Sequence, residues 1–300
     1  MNKERIEQFA AEVDENSAKE NYNVALNILI AALEGLDGKV STLTPEESRV
    51  FPLGELTNGT FVDANDEIEI ALVTSNPQMA FTNAAYIRLM KETKKKKEKE
   101  TISTDNTTHQ VIYLLFDELI KLVSETTTVI ITNQGIKILS NKELGFKILL
   151  RFGTYNAYDA NFILSLWNPV LKITQDLDIF KYAENMKKKN EETNGNFNKM
   201  VRILKNFRKT IVSNKWLSSS FVNKYLIEMI AYNIPNSLLN GKDIYQIYIK
   251  SINFLMHTTL NSFKSFDGGD IKNFPIAGAD MYHIKTFLAN CNRILSLKDV

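Results

Sequence analysis

Residues 67–73, Glu-Ile-Glu-Ile-Ala-Leu-Val, fit little besides a strand with two unlike faces. Side chains alternate along a strand, so Glu67 and Glu69 leave one face while Ile68, Ile70 and Leu72 fill the other. Just upstream, "PLGELTNGTFVDAND" places Gly54 and Gly59-Thr60 in a glycine turn that feeds this strand. Two carboxylates on one strand face after such a turn can hold a divalent metal against a phosphate. Magnesium takes oxygen ligands, usually one or two protein carboxylates together with phosphate oxygens. Taken alone, the same Glu-x-Glu is simply the wet face of a half-buried strand.

The rest of the chain sorts by periodicity. Residues 1–35 read as helix with a break around Asn21-Tyr22-Asn23, closed by the glycines of "EGLDGK". Strands are expected at 50–53 and 68–73, a helix at 77–91, and a further amphipathic helix at 111–124. "TTTVIIT", a turn at Asn133-Gln134-Gly135, "IKILS" and "GFKILLRF" are β-branched or alternating and predict a hairpin and a longer strand. From Tyr155 the chain reads as helical, with buried faces at Phe197, Met200, Val201, Leu204, Phe207 and Ile211, at Val222, Tyr225, Leu226, Met229 and Ile230, and at Ile244, Ile247, Tyr248, Ile252 and Leu255. The expected class is α+β. A mixed-sheet lobe over residues 1–154 precedes a helical lobe over 155–300, with a cleft between them.

Composition removes several functions. Net charge is +1, so no global field draws nucleic acid or an acidic membrane. Six lysines fall within Lys91–Lys99, a local basic run that reads as a solvated helix end entering a loop over 91–110. The single cysteine, Cys291, excludes an internal disulfide and any multi-cysteine metal site. No apolar run reaches membrane-spanning length and no signal peptide is readable at the charged N-terminus, so the expected compartment is the cytoplasm. His109, His257 and His283 stand far apart, and no P-loop, dinucleotide fingerprint or nucleophile elbow occurs.

Gly54, Gly59-Thr60, Glu67 and Glu69 are spaced in a way that resembles the nucleotidyltransferase signature of oligoadenylate synthetases and cyclic GMP-AMP synthase. Later segments resemble the same superfamily in the same order. "GFKILLRF" (145–152) sits where a third acid is carried, "WNP" (167–169) where a short Pro turn precedes a helix. "NFNKMVRILKNFRKTI" (196–211) looks like the basic helix, and "SSSFVNKYLIEMIAYNIPN" (218–236) like the serine-led helix of the bacterial cGAS/DncV-like nucleotidyltransferases (CD-NTases). The resemblance spans residues 20–260. It implies a polymerase-beta-like lobe, with Gly54 and residue 55 cradling a triphosphate and Glu67 and Glu69 as the first two metal ligands. Lys205 and Ser220 would be polar contacts to the nucleotide phosphates, and Mg2+ or Mn2+ would be needed if the protein is active.

Three positions depart from that pattern. Glu55 stands in place of a serine, and a carboxylate offers only acceptors to a phosphate and repels it. Both metal-ligand positions are Glu where Asp is usual. Lys147 occupies the third-acid position, and no acid lies between Glu143 and Asp159. A lysine there replaces −1 by +1 beside an expected dication, and would neutralise Glu67, Glu69 or Glu55 in a metal-free site. Three readings follow. One is a pseudoenzyme with a degraded metal site, acting through nucleoside triphosphate or protein-partner binding in bacterial anti-phage signalling. The second is an active enzyme making cyclic or short linear oligonucleotides. The third is a nucleic-acid module working through Lys91–Lys99, which the neutral overall charge opposes.

Overall fold

The computed structural model describes residues 2–12, 15–36, 49–63, 67–74, 104–123, 127–132, 134–139, 144–155, 164–168, 173–177, 179–218, 221–259, 262–266 and 281–296. The expected helix at 77–91 and the lysine run at 91–99 lie outside these residues. Contacts divide the chain into two units. One comprises residues 16–56 and 65–179, the other residues 1–15, 57–64 and 180–300.

The first unit is built on a mixed sheet with seven strands among the described residues. Its strands are β1 (Arg49–Pro52), β2 (Glu67–Thr74), β3 (Val129–Thr132), β4 (Gly135–Ile138), β5 (Lys147–Tyr155), β6 (Leu164–Asn168) and β7 (Ile173–Leu177). The order is β1-β2-β5-β4-β3, with β6 pairing the far end of β5 and β7 pairing β6. β5 runs parallel to β2 from Glu67↔Lys147 to Thr74↔Thr154, and it is antiparallel to β4 and β6 on its other side. Flanked on both edges, its sequence is a nearly continuous apolar run: Ile148, Leu149 and Leu150 are all buried. Ile68, Ile70, Leu72, Ile148, Leu150, Ile136 and Ile138 are buried on the face opposite the glutamates, each contributing roughly 1.5–3 kcal/mol of apolar burial. Among the described residues, this unit's longer helices are α2 (Glu15–Glu34) and α4 (Thr104–Leu122), which bury Ala18, Ala25, Leu29 and Ala32, and Ile112, Leu115 and Leu119 respectively.

The predicted hairpin is present, with Thr132 paired to Gly135 across Asn133-Gln134. Gly135 has φ of 142°, and a Cβ there would stand 1.9 Å from the Leu150 carbonyl oxygen, so only glycine lets β4 lie this close to β5.

Two expectations are corrected here. The segment after Tyr155 is not helical from its start: β6 and β7 continue the sheet, and the strand-bearing unit runs to residue 179 where the sequence reading ended it at 154. The break in the N-terminal helix also lies elsewhere. α1 (Asn2–Ala10) ends before α2, while Asn21-Tyr22-Asn23 stays within α2.

The second unit is helical: α1, α5 (Ile179–Glu192), α6 (Asn196–Ser213), α7 (Lys224–Tyr232), α8 (Asn236–Leu239), α9 (Ile244–His257) and α10 (Met281–Ser296), with the short α3 (Glu55–Asn58) ending in it. α6 is its axis. Phe197, Met200, Val201, Leu204, Phe207 and Ile211 are fully buried, as their spacing predicts. α1 joins this unit because α6 takes up its terminal carbonyls. Arg202 Nε donates to the Ala10 oxygen at 3.0 Å, and Asn206 Nδ2 donates to that of Phe9 at 3.2 Å. The Phe9 and Phe207 rings meet edge to face at 5.2 Å. Helix-end carbonyls without intrahelical partners are thereby satisfied. Asn223 caps α7 by accepting from Leu226 N at 2.9 Å, and Asp243 caps α9.

Candidate functional site

β2 presents Glu67 and Glu69 on one sheet face. Parallel pairing puts Lys147 beside Glu67, Leu149 beside Glu69 and Arg151 beside Ala71, and β4 sets Lys137 beside Leu149. Residues in register on neighbouring strands share a face, so among the described side chains this one gathers Glu67 and Glu69 with Lys137, Lys147 and Arg151. Lys137 Nζ pairs with Glu67 Oε2. Arg151 Nη2 lies 3.6 Å from Glu69 Oε1, with both side chains at most a tenth exposed. Lys147 is solvent-exposed. Lys147, expected to neutralise Glu67, Glu69 or Glu55, stands in register with Glu67, and ion pairs from Lys137 and Arg151 reach the two glutamates.

Upstream, Gly54 has φ of 61° and opens α3, whose first residue, Glu55, is buried. The left-handed backbone at Gly54 is the glycine turn read in the sequence.

In the helical unit, the segment after α3 lies along α6. Asn198 Nδ2 donates to the Asn58 oxygen at 2.9 Å and Arg202 Nη1 to that of Gly59 at 3.1 Å. Lys205 Nζ donates to Thr60 Oγ1 at 2.9 Å, and Lys209 reaches Asp63 at 2.7 Å. Positions 198, 202, 205 and 209 recur at helical spacing, so one face of α6 holds consecutive residues of the segment. Lys205 is buried and forms an ion pair with buried Glu228 at 2.5 Å. Thr60 Oγ1 donates to Glu228 Oε1 at 2.9 Å, the Tyr182 hydroxyl donates to Glu228 Oε2, and Asn58 Nδ2 donates to the Tyr182 oxygen at 2.9 Å. The lysine expected to meet nucleotide phosphate is thus engaged with a carboxylate of its own unit.

Residues 184–270 match the family model of the cGAS/DncV-like nucleotidyltransferase C-terminal helical domain. The fold is that of the cGAS/DncV-like nucleotidyltransferases. Solved structures agree along nearly the whole chain. The STING-associated CdnE c-di-GMP synthase of Capnocytophaga granulosa superposes with a TM-score of 0.68 at 16% identity, covering 97% of this chain and 84% of that one. The Rhodothermus marinus CdnE c-UMP-AMP synthase with Apcpp and Upnpp gives 0.67 at 16%, covering 99% and 97%. The E. coli MS115-1 CdnC:HORMA-deltaN complex gives 0.57 at 14%, covering 98% and 89%. A search of curated proteins finds no match.

The sequence resemblance assigns a divalent metal to the glutamate face, and the residues present do not fit one. Each carboxylate already faces a protein cation, Lys147 adds a further positive charge in register with Glu67, and cations repel a dication. Among the described residues no group of three His, Cys, Asp or Glu side chains could hold a metal. Ser220 lies outside the described residues.

Sequence reasoning missed Lys137, Arg151, Arg202 and Glu228. Signals for three existed. Lys137 interrupts Ile136 and Ile138, Arg151 follows Lys147 and Leu149 at strand spacing, and Glu228 is the one acid inside the apolar helix "KYLIEMIAY". Their partners, far off in sequence, were not readable.

Proposed function

We propose that this protein is a nucleotidyltransferase-fold pseudoenzyme that acts through nucleotide or protein-partner binding in a bacterial anti-phage signalling system, in the cytoplasm. The observation that carries the reading is the register Glu67↔Lys147. In two-metal phosphoryl transfer, carboxylates hold the ion that activates the attacking hydroxyl. A lysine in register with the first of them brings charge of the wrong sign. Buried Glu55 beside the Gly54 turn works in the same direction, since a carboxylate repels a triphosphate. Protein-partner binding is supported by the CdnC neighbour, which is solved with HORMA. No helix among the described residues is long and apolar enough to cross a membrane.

The second reading, an active enzyme joining nucleoside triphosphates, is favoured by the neighbours described as c-di-GMP and c-UMP-AMP synthases. One experiment separates the two. The protein is incubated with labelled nucleoside triphosphates and Mg2+ or Mn2+, and pyrophosphate and oligonucleotide products are measured. The expected result is no turnover above a Glu67→Ala control. Product formation that Glu67→Ala abolishes would establish the active enzyme instead. Calorimetry with ATP, with and without metal, then reads nucleotide binding apart from turnover.

A further inference from the structure

We infer that Glu67 and Glu69 form a latent divalent-cation site whose metal position is taken by the chain's own cations, Lys137 from β4 and Arg151 from β5.

Exposure and register carry the argument. The side chains of Glu67 and Glu69 are 12% and 10% exposed, and that of Arg151 is 5% exposed. Carboxylates this sheltered gain little from water or mobile counterions, so their countercharge must be fixed in place. A carboxylate pair on one strand face accepts such charge in two forms, a shared dication or separate protein cations. Here β4 and β5 supply the second form. Lys137 reaches Glu67 and Arg151 reaches Glu69 from the strands beside β2. The placement follows from alternation. Lys137 stands between buried Ile136 and Ile138, and Arg151 between buried Leu150 and Phe152, so neither can leave this face without a register slip. The carboxylates are fixed in the same way by Ile68 and Ile70.

Exposed Lys147 adds a further positive charge to those of Lys137 and Arg151 on this face. A dication entering it would have to displace two ion pairs and approach a third cation. Removing Lys137 and Arg151 takes away both countercharges while leaving the oxygen ligands in place. The vacancy in charge is then the kind that a manganese or magnesium ion fills.

The inference rests on the reading of the protein as lacking two-metal chemistry, but it is tested on the metal alone. Mn2+ is titrated into the full-length protein, and free ion is followed by electron paramagnetic resonance. The wild type is expected to leave the free-Mn2+ signal unchanged up to millimolar concentration. The double variant Lys137→Gln/Arg151→Gln is expected to bind one Mn2+ at least tenfold more tightly, and adding Glu67→Gln should remove that binding. A folded double variant with no gain in Mn2+ affinity would overturn the inference. Should the double variant fail to fold by circular dichroism, Lys137→Gln alone is read against the same expectation, because the Lys137 side chain is partly exposed. Wild-type Mn2+ binding that is lost in Glu67→Gln, with no nucleotide turnover, would overturn the inference and leave the proposed function standing. Turnover above the Glu67→Gln level, with no Mn2+ bound by the wild type in the absence of nucleotide, would do the reverse.

Discussion

Replacing Glu228 by Ala should be among the costliest single changes in the helical unit. Its carboxylate is 1% exposed and accepts from Lys205 at 2.5 Å, from Thr60 Oγ1 at 2.9 Å, from the Tyr182 hydroxyl and from Asn58 Nδ2 at 3.4 Å. Truncation removes the Glu228 charge beside the buried Lys205 ammonium, which keeps Thr60 among its partners. Breaking a buried pair from one side costs about 3–5 kcal/mol, against a total stability of about 5–15 kcal/mol for a typical domain. The converse change, Lys205→Met, should cost less, because the carboxylate keeps the Thr60 and Tyr182 hydroxyls and the Asn58 amide as donors. Replacing both at once, Lys205→Met with Glu228→Leu, should cost less than the sum of the single changes, since the desolvation of both ions is removed together, while the Thr60 and Tyr182 hydroxyls left without their acceptor still cost about 1–3 kcal/mol. The assay is urea unfolding followed by fluorescence of Trp216, which belongs to the helical unit, in a Trp167→Phe background. A coupling energy below about 0.5 kcal/mol in the double-mutant cycle would refute the argument. So would a Glu228→Ala variant that unfolds at the wild-type midpoint.

Burial pushes the Lys189 ammonium down from the usual 10.5 to about 8, with Glu192 partly opposing. Because the folded value lies below the unfolded one, the unfolded chain binds more protons between these pH values, and stability rises with pH across that window. Amine acylation read by mass spectrometry should show Lys189 half-reactive near pH 8, and a midpoint near that of exposed lysines would contradict the burial argument. Gly135→Ala should destabilise the sheet by at least ~2 kcal/mol, through backbone strain and overpacking against Leu150. Far-UV circular dichroism melts against wild type measure it, and an unchanged midpoint would mean that β4 and β5 lie farther apart than they do here.

What the sequence determined by itself is what short-range periodicity encodes. Alternation over 67–73 put both glutamates on one face and the isoleucines on the other, and helical spacing identified the buried faces of α6, α7 and α9. The family resemblance extended this to one long-range neighbourhood, Lys147 near Glu67, Glu69 or Glu55, and the strand register sets it beside Glu67. Periodicity is weakest where elements are short. The five-residue strands β6 and β7 offer too few turns of either repeat to tell strand from helix, and they were read as helix. Only the tertiary structure decided which charges meet. Lys137, Arg151 and Glu228 each sit in an apolar run, visible as interruptions, but an ion pair needs two elements brought side by side. Whether Lys205 faces a ligand or Glu228, and whether Glu67 faces a metal or Lys137, is set by strand order and helix packing, and local sequence does not specify that geometry.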